Sequence, residues 1–280
     1  MNEFGSEGLV FDVRDRGPAD GAPVVLLHGF PQDATSWDEL AGRLADAGYR
    51  TLAPDQRGYS PRARPRGRAA YAMPHLTGDV LALLDAAGLD SAHVIGHDWG
   101  GAVAWALGAR HPDRVRTITA LSTPHPSALG RAVLRGGQAL RSWYMGLFQL
   151  PWLPERMQLA RGGAPLRLWL ERSGLPASYA AHYAARMAEP RALPSALMWY
   201  RAFPLVLRAP IGRVGVPTLY VWGDRDPALG RAAAERTREF VDGPYRFEVL
   251  PGAGHWLLET AAWQVGDFVL AHLAGAERSG

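Results

Sequence analysis

The stretch Gly96-His97-Asp98-Trp99-Gly100-Gly101 lies between a short apolar run, Ala92-His93-Val94-Ile95, and a small-residue run, Ala102-Val103-Ala104-Trp105-Ala106-Leu107, that reaches His111 and stops before Pro112. Such a succession predicts a buried strand, a tight turn and a helix with no room between them. The glycines remove the Cβ atoms that would clash in so sharp a turn. The pattern of small residue, any residue, reactive residue, any residue, small residue is that of a nucleophile elbow, with an aspartate where a serine is commonest. Asp98 is thereby expected at the carboxyl end of the strand, beside a helix N-terminus that favours negative charge.

An aspartate in that place narrows the chemistry. A serine that displaced a leaving group from a saturated carbon would be left as an ether, which water does not readily hydrolyse. A carboxylate forms an ester, whose carbonyl carbon water can attack in a second step. The expected electrophile is an sp3 carbon bearing a leaving group, such as an epoxide or a haloalkane.

The chain around this turn has 280 residues, enough for one large α/β core carrying an inserted subdomain. Strand and helix signals alternate along it. Pro23 to Leu27, Tyr49 to Ala53, Val115 to Leu121, Pro217 to Trp222 and Tyr245 to Leu250 read as buried strands. Helical patterns run from Trp37 to Ala47, Leu76 to Ala87, Leu229 to Phe240 and Ala261 to Leu273. Repeated βα alternation predicts a mostly parallel sheet with helices on both faces. The more polar Leu9 to Arg16 alternates like an antiparallel edge hairpin. From Pro124 to Pro210 the β-branched runs vanish in favour of Leu, Ala, Arg, Trp, Tyr and Met, the composition of a helical insert. The division expected is a core of residues 1–123 and 211–280 with a helical cap, 124–210, over the carboxyl ends of the strands, where open α/β sheets bind ligands.

Cysteine is absent, so no disulfide or thiolate chemistry is open to the chain. The net charge is only +3, and all 30 basic residues are arginine. The densest basic run, Arg57 to Arg68, is rich in Pro and Gly and reads as a solvated loop, so no nucleic-acid partner is expected. A basic start followed by an apolar core is missing at the N-terminus, as is any apolar window of bilayer length. The expectation is a cytoplasmic protein with no membrane partner, with a homodimer left open.

Three further motifs complete the set, and within it nucleophile, acid and histidine fall in that chain order. His255, in Gly252-Ala253-Gly254-His255-Trp256, follows the last strand and is the candidate general base that activates water. Asp226, in Gly223-Asp224-Arg225-Asp226-Pro227, is the candidate partner for His255 Nδ1, with Asp224 as its rival nearer the strand end. His28-Gly29-Phe30-Pro31 follows the first buried strand, and the backbone N–H groups of Phe30 and Trp99 would form an oxyanion hole. His28 is read as ordering that loop.

With these motifs together, the chain resembles an α/β-hydrolase-fold epoxide hydrolase over nearly its whole length. The resemblance implies a helical cap whose two tyrosines hydrogen-bond the epoxide oxygen and protonate it as the ring opens. Tyr144, four residues before Phe148-Gln149, and Tyr200, in Leu197-Met198-Trp199-Tyr200-Arg201, match those positions. Tyr179 and Tyr183 lie in the same segment and compete for the roles. An alkoxide is a much poorer leaving group than a halide, which by itself calls for an acid over Asp98. Phe30, Trp99, Met145, Phe148 and Trp256 are the candidate substrate-binding residues, with Trp152 and Trp169 as further apolar lining. The partners expected are a small apolar epoxide and water. No metal or organic cofactor is implied, because the reaction is hydrolytic.

Two other readings use the same residues. A haloalkane dehalogenase would share Asp98, Asp226 and His255, but that family usually places an asparagine where Phe30 stands. Haloacid dehalogenases of this fold favour an arginine where this chain has Trp99. A ligand-binding protein without turnover is the third reading, since the fold does not exclude it.

Overall fold

A computed structural model describes residues 1–135, 138, 143–208 and 210–278. Eight strands form one sheet in the order β1-β2-β4-β3-β5-β6-β7-β8. They are β1 (Glu3–Ser6), β2 (Leu9–Arg16), β3 (Ala22–Leu27), β4 (Tyr49–Pro54), β5 (Ala92–His97), β6 (Val115–Leu121), β7 (Thr218–Gly223) and β8 (Tyr245–Leu250). β1 and β2 form the expected antiparallel edge hairpin, β2 runs antiparallel to β4, and every other pairing is parallel. This is the α/β-hydrolase architecture, and its cause lies in the period of two along each strand. Val24 and Leu26 of β3 pack into one apolar cluster, while Val25 and Leu27 pack into the other.

Helices α1 (Asp38–Asp46) and α10 (Ala262–Glu277) supply Leu40, Leu44, Val265 and Val269 to the first cluster. Helices α2 (Met73–Ala86) and α3 (Trp99–Arg110) supply Val80, Leu83, Val103 and Leu107 to the second. Boundaries differ from the sequence reading where local chemistry intervenes. α2 begins at Met73 because Pro74 fits the first turn of a helix. α3 begins at Trp99, immediately after Asp98. The single helix expected over 229–240 is α9 (Arg231–Arg236) followed by a tighter turn, Thr237–Phe240.

β3 feeds β4 on one side, while β5 pairs on its other side. The topology therefore switches between β3 and β5, and the loops leaving their carboxyl ends open a crevice there. His28 to Pro31 leave β3 into that crevice, and Asp98 leaves β5 into it. Between β6 and β7 the described residues hold helices and no strand: α4 (Pro126–Arg135), α5 (Trp143–Phe148), α6 (Leu153–Arg172), α7 (Ala177–Met187) and α8 (Ala192–Arg208). Side chains from α5, α6 and α8 meet Phe30 directly, with ring centroids of Phe148, Trp169 and Tyr200 at 5.9, 6.5 and 5.4 Å. No described helix is long and apolar enough to cross a membrane.

Candidate active site

Asp98 adopts φ 50°, ψ −120°, a left-handed conformation that non-glycine residues reach only under constraint. The constraint is visible on both sides. The Thr123 hydroxyl donates to the Asp98 carbonyl at 2.7 Å, and the Ala102 N–H donates to the same carbonyl at 3.2 Å. Glycine is required nearby by contact. A Cβ on Gly100 would stand 1.9 Å from the Leu27 carbonyl oxygen, and one on Gly29 would stand 2.3 Å from the Asp98 Cβ. The elbow and the Phe30 loop can approach this closely only as they are.

The carboxylate lies between two donors. The Phe30 N–H donates to Asp98 Oδ1 at 2.8 Å, and His255 Nε2 stands 3.7 Å from Oδ2. On its other side, the His255 Nδ1–H donates to Asp226 Oδ2 at 2.8 Å. Asp226 is itself anchored, since its Oδ1 accepts from the Ala228 and Leu229 N–H groups at 2.7 and 2.9 Å. Asp224 points elsewhere and accepts from the Gly252 N–H at 2.7 Å. Two extra residues carry Asp226 back from the strand end to the histidine, while Asp224 closes the exposed turn.

Charge follows from this geometry. Burial alone would raise the Asp98 pKa, but His255, His97 and the Phe30 N–H hold it below the usual carboxylate value. Burial likewise opposes the His255 imidazolium, yet Asp226 and Asp98 outweigh it and push His255 up to about 10. A histidine in an unfolded chain titrates near ~6.5. The folded state therefore binds this proton more tightly, and the resulting stability is fully present below ~6.5 and lost as pH rises through about 10. The chain has no lysine, and its nine tyrosines, all held above their ordinary value in the fold, ionise in the unfolded chain only near ~10, so the part of the window below ~9 is clear of most other titrations. The melting temperature is expected to fall across that window in the parent chain and to lose most of this slope in His255→Gln. An equal slope in the variant would assign the proton to another group.

Asp98 and His255 line a cavity of about 150 Å³ together with Phe30, Tyr144, Tyr200 and Trp256. A second cavity of about 60 Å³ meets Asp98 from the other side, lined by Trp99, Met145, Phe203 and the same two tyrosines. Tyr144 and Tyr200 thus sit at the junction, their rings 6.1 Å apart, and burial with the Asp98 charge raises both hydroxyls above their ordinary pKa, so both keep their protons. Phe148 is buried behind them, touching Tyr144 at 5.7 Å and Tyr200 at 5.0 Å without lining either cavity. The rivals lie away from Asp98. The Tyr183 hydroxyl donates to Glu259 at 2.8 Å, and Tyr179 packs on Tyr183. Trp169 lines the larger cavity, whereas Trp152, read from sequence as lining, is 61% exposed and touches neither cavity.

His28 accepts the Gln56 N–H on Nε2 at 3.1 Å, which ties the loop after β3 to the loop after β4. Behind the histidine stands a buried brace that the sequence reading missed. His97 Nε2 lies 2.8 Å from the His255 carbonyl, which also accepts from the Ser122 hydroxyl at 2.8 Å. His97 Nδ1 lies 2.8 Å from Gln32 Oε1, and Gln32 Nε2 donates to Glu259 at 2.8 Å. Burial lowers His97 to about 4. The only sequence signal was position, with His97 next to Asp98, Gln32 next to the Phe30 loop and Glu259 four residues past His255. Among the described residues, no three His, Asp or Glu side chains converge as metal ligands would.

The chain is similar to known proteins over nearly its whole length. A family model described as the alpha/beta hydrolase fold matches residues 22–262. Epoxide hydrolase A of Mycobacterium tuberculosis is 35% identical over 92% of each chain. The AB hydrolase superfamily protein YfhM of Bacillus subtilis is 34% identical over 96% of each. The crystal structure of epoxide hydrolase A from Mycobacterium thermoresistibile superposes with a TM-score of 0.84 at 30% identity, covering 98% of this chain and 97% of the other. The chain belongs to the α/β-hydrolase family and, within it, to the epoxide hydrolases.

Proposed function

We propose that this hydrolase opens a small apolar epoxide to a vicinal diol through a covalent ester on Asp98, with residues 124–210 acting as the cap over a core of 1–123 and 211–280. The observation that carries this reading is the Asp98 carboxylate held between the Phe30 N–H and His255 Nε2, at 2.8 and 3.7 Å, in cavities that Tyr144 and Tyr200 share.

In the first step an Asp98 oxygen attacks one epoxide carbon and the C–O bond on the far side breaks. The departing oxygen takes a proton from Tyr144 or Tyr200. Both hydroxyls are protonated at rest, so the acid is in place before substrate arrives. Esterification then removes the Asp98 charge, one of the two that hold the His255 proton. His255 becomes the weaker base, its proton restores the tyrosinate, and the imidazole is left neutral. In the second step water attacks the ester carbonyl carbon as His255 takes its proton, with Asp226 stabilising the imidazolium. The oxyanion forms at Oδ1, where the Phe30 N–H already points, with the Trp99 N–H as the second donor. Collapse expels the diol, whose departing oxygen takes the remaining proton of the added water, and leaves Asp98 as the carboxylate and His255 as the imidazolium. Each turnover consumes one epoxide and one water.

The tyrosines separate this reading from dehalogenation, because a halide leaves without a proton. Tyr144→Phe with Tyr200→Phe is expected to slow ester formation from an epoxide by ~10²- to 10⁴-fold. Either change alone costs less, since the other hydroxyl remains. Rapid-mixing measurement of the alkylation phase reads this directly. The function itself is tested by incubating the purified protein with aryl and alkyl epoxides and matched bromoalkanes. Diol from the epoxides supports the reading, and halide release without diol moves the protein to the dehalogenases.

A further inference from the structure

Exposed apolar bulk on this protein is concentrated in one stretch. Of the six large apolar side chains that stand most exposed among the described residues, five are Trp143, Leu150, Trp152, Met157 and Leu168. The sixth, Trp263, lies under the Arg43 guanidinium at 3.9 Å. The apolar rings of Trp143 and Trp152, at 62% and 61% exposure, stand in water beside the other exposed apolar side chains, as at interaction surfaces.

The five residues belong to one structural unit. Tyr144 and Phe148 of α5 contact Trp169 of α6 at 5.9 and 6.4 Å, which leaves Trp143 and Leu168 as the outward neighbours of that contact. Arg201 ties the next turn to the same unit, donating to the carbonyl groups of Phe148 and Leu150 and pairing with Glu155 at 2.8 Å. Trp143 also lines the cavity that holds Asp98, so the exposed surface runs into the mouth of the site. The opposite side of the insert is fastened down. His182 and Arg186 of α7 reach Asp33 at 2.8 and 3.2 Å, and Arg186 also reaches Asp55 at 3.0 Å.

Charge decides the partner. Arg156, Arg161, Arg167 and Arg172 are exposed on this stretch. Arg167 meets Glu171 at 3.4 Å, and Glu155 is already engaged by Arg201, so among the described residues the other three arginines face no carboxylate. Arg156 instead lies over the Trp152 ring at 5.8 Å. A second copy of this chain docked about a two-fold axis would set these arginines against themselves. A lipid surface bearing negative headgroups accepts both the guanidinium groups and the indoles.

We propose that the exposed surface of α5 and of the two helical segments within Leu153–Arg172 docks onto an anionic lipid surface, with Trp152, Met157 and Leu168 entering the headgroup layer and Arg156 and Arg161 on the phosphates. Such docking needs no spanning helix, and it departs from the sequence-based expectation of no membrane partner. That lipid-dissolved epoxides then enter past Trp143 rests on the function proposed above; the docking itself does not.

Sedimentation with vesicles tests it, using the full chain and its Asp98→Ala variant so that binding is scored whether or not epoxides are turned over. Vesicles of equal parts phosphatidylglycerol and phosphatidylcholine are expected to bind the protein at least about tenfold more tightly than phosphatidylcholine alone, with the difference lost in about 0.5 M salt. The combined variant Trp152→Ser, Met157→Ser, Leu168→Ser is expected to lose about tenfold in vesicle affinity while keeping its melting temperature and its turnover of a short water-soluble epoxide. Arg156→Gln with Arg161→Gln should lose the preference for phosphatidylglycerol. Equal sedimentation with and without vesicles, or unchanged binding by the serine variant, would overturn the proposal. So would a dimer in sedimentation velocity that the serine variant abolishes, which would assign the face to a second copy.

Discussion

Asp98→Ala is expected to lower diol formation by ~10⁴-fold or more, to the level of the uncatalysed reaction in a shaped pocket. The size of the loss follows from what the side chain does. No other described carboxylate lines the cavity with Tyr144 and Tyr200, because Asp226 is turned to His255 Nδ1 and to the N–H groups of Ala228 and Leu229. Alanine in a left-handed conformation at the elbow also carries strain, so Asp98→Asn is the companion variant that keeps the shape of the side chain. Both should fold, bind epoxide and fail to turn it over. Initial rates of diol release, with circular dichroism to confirm folding, check the prediction.

His255→Gln is expected to separate the two halves of the reaction. Ester formation needs the Asp98 carboxylate and the tyrosine protons, none of which the histidine supplies. Ester hydrolysis needs a base next to the ester carbon, and glutamine has no such function at neutral pH. Steady-state turnover should therefore fall by ~10⁴-fold or more while one equivalent of epoxide is consumed rapidly. Intact-mass measurement should then find the protein heavier by the mass of one epoxide, and peptide mapping should put the addition on Asp98. Loss of both phases in a folded variant would mean that His255 takes part in ring opening as well.

The fold was legible because its signals are local and periodic. Val24 to Leu27 send alternate side chains to two separate cores, and such alternation is written in the residues themselves. The elbow was legible for a related reason, since Gly96, Gly100 and Gly101, which permit the close approach of β5 and α3, fall in one short stretch of sequence. Asp226 was separable from Asp224 by chain reach alone. What could not be read is set by side-chain direction across long separations. Gln32 meets Glu259 across 227 residues, and nothing near either one announces the other. Trp152 reads like Trp169 in sequence, yet one faces water and the other the cavity: Trp152 precedes the helix of Leu153–Arg172 in left-handed backbone, and non-helical backbone from Ala160 to Gly163 lies between the two. The same tertiary packing turns Tyr183 towards Glu259 and Tyr144 towards Asp98's cavity.

The covalent route through Asp98 is tested most directly by the fate of oxygen in a single turnover. With enzyme in excess over epoxide in ¹⁸O-labelled water, the attacking oxygen comes from the Asp98 carboxylate and the label enters through the ester carbonyl carbon. An unlabelled diol is expected, with one ¹⁸O in the peptide that carries Asp98. Label found in the diol, with the Asp98 peptide unchanged, would show that water attacks the epoxide directly and would contradict the covalent route.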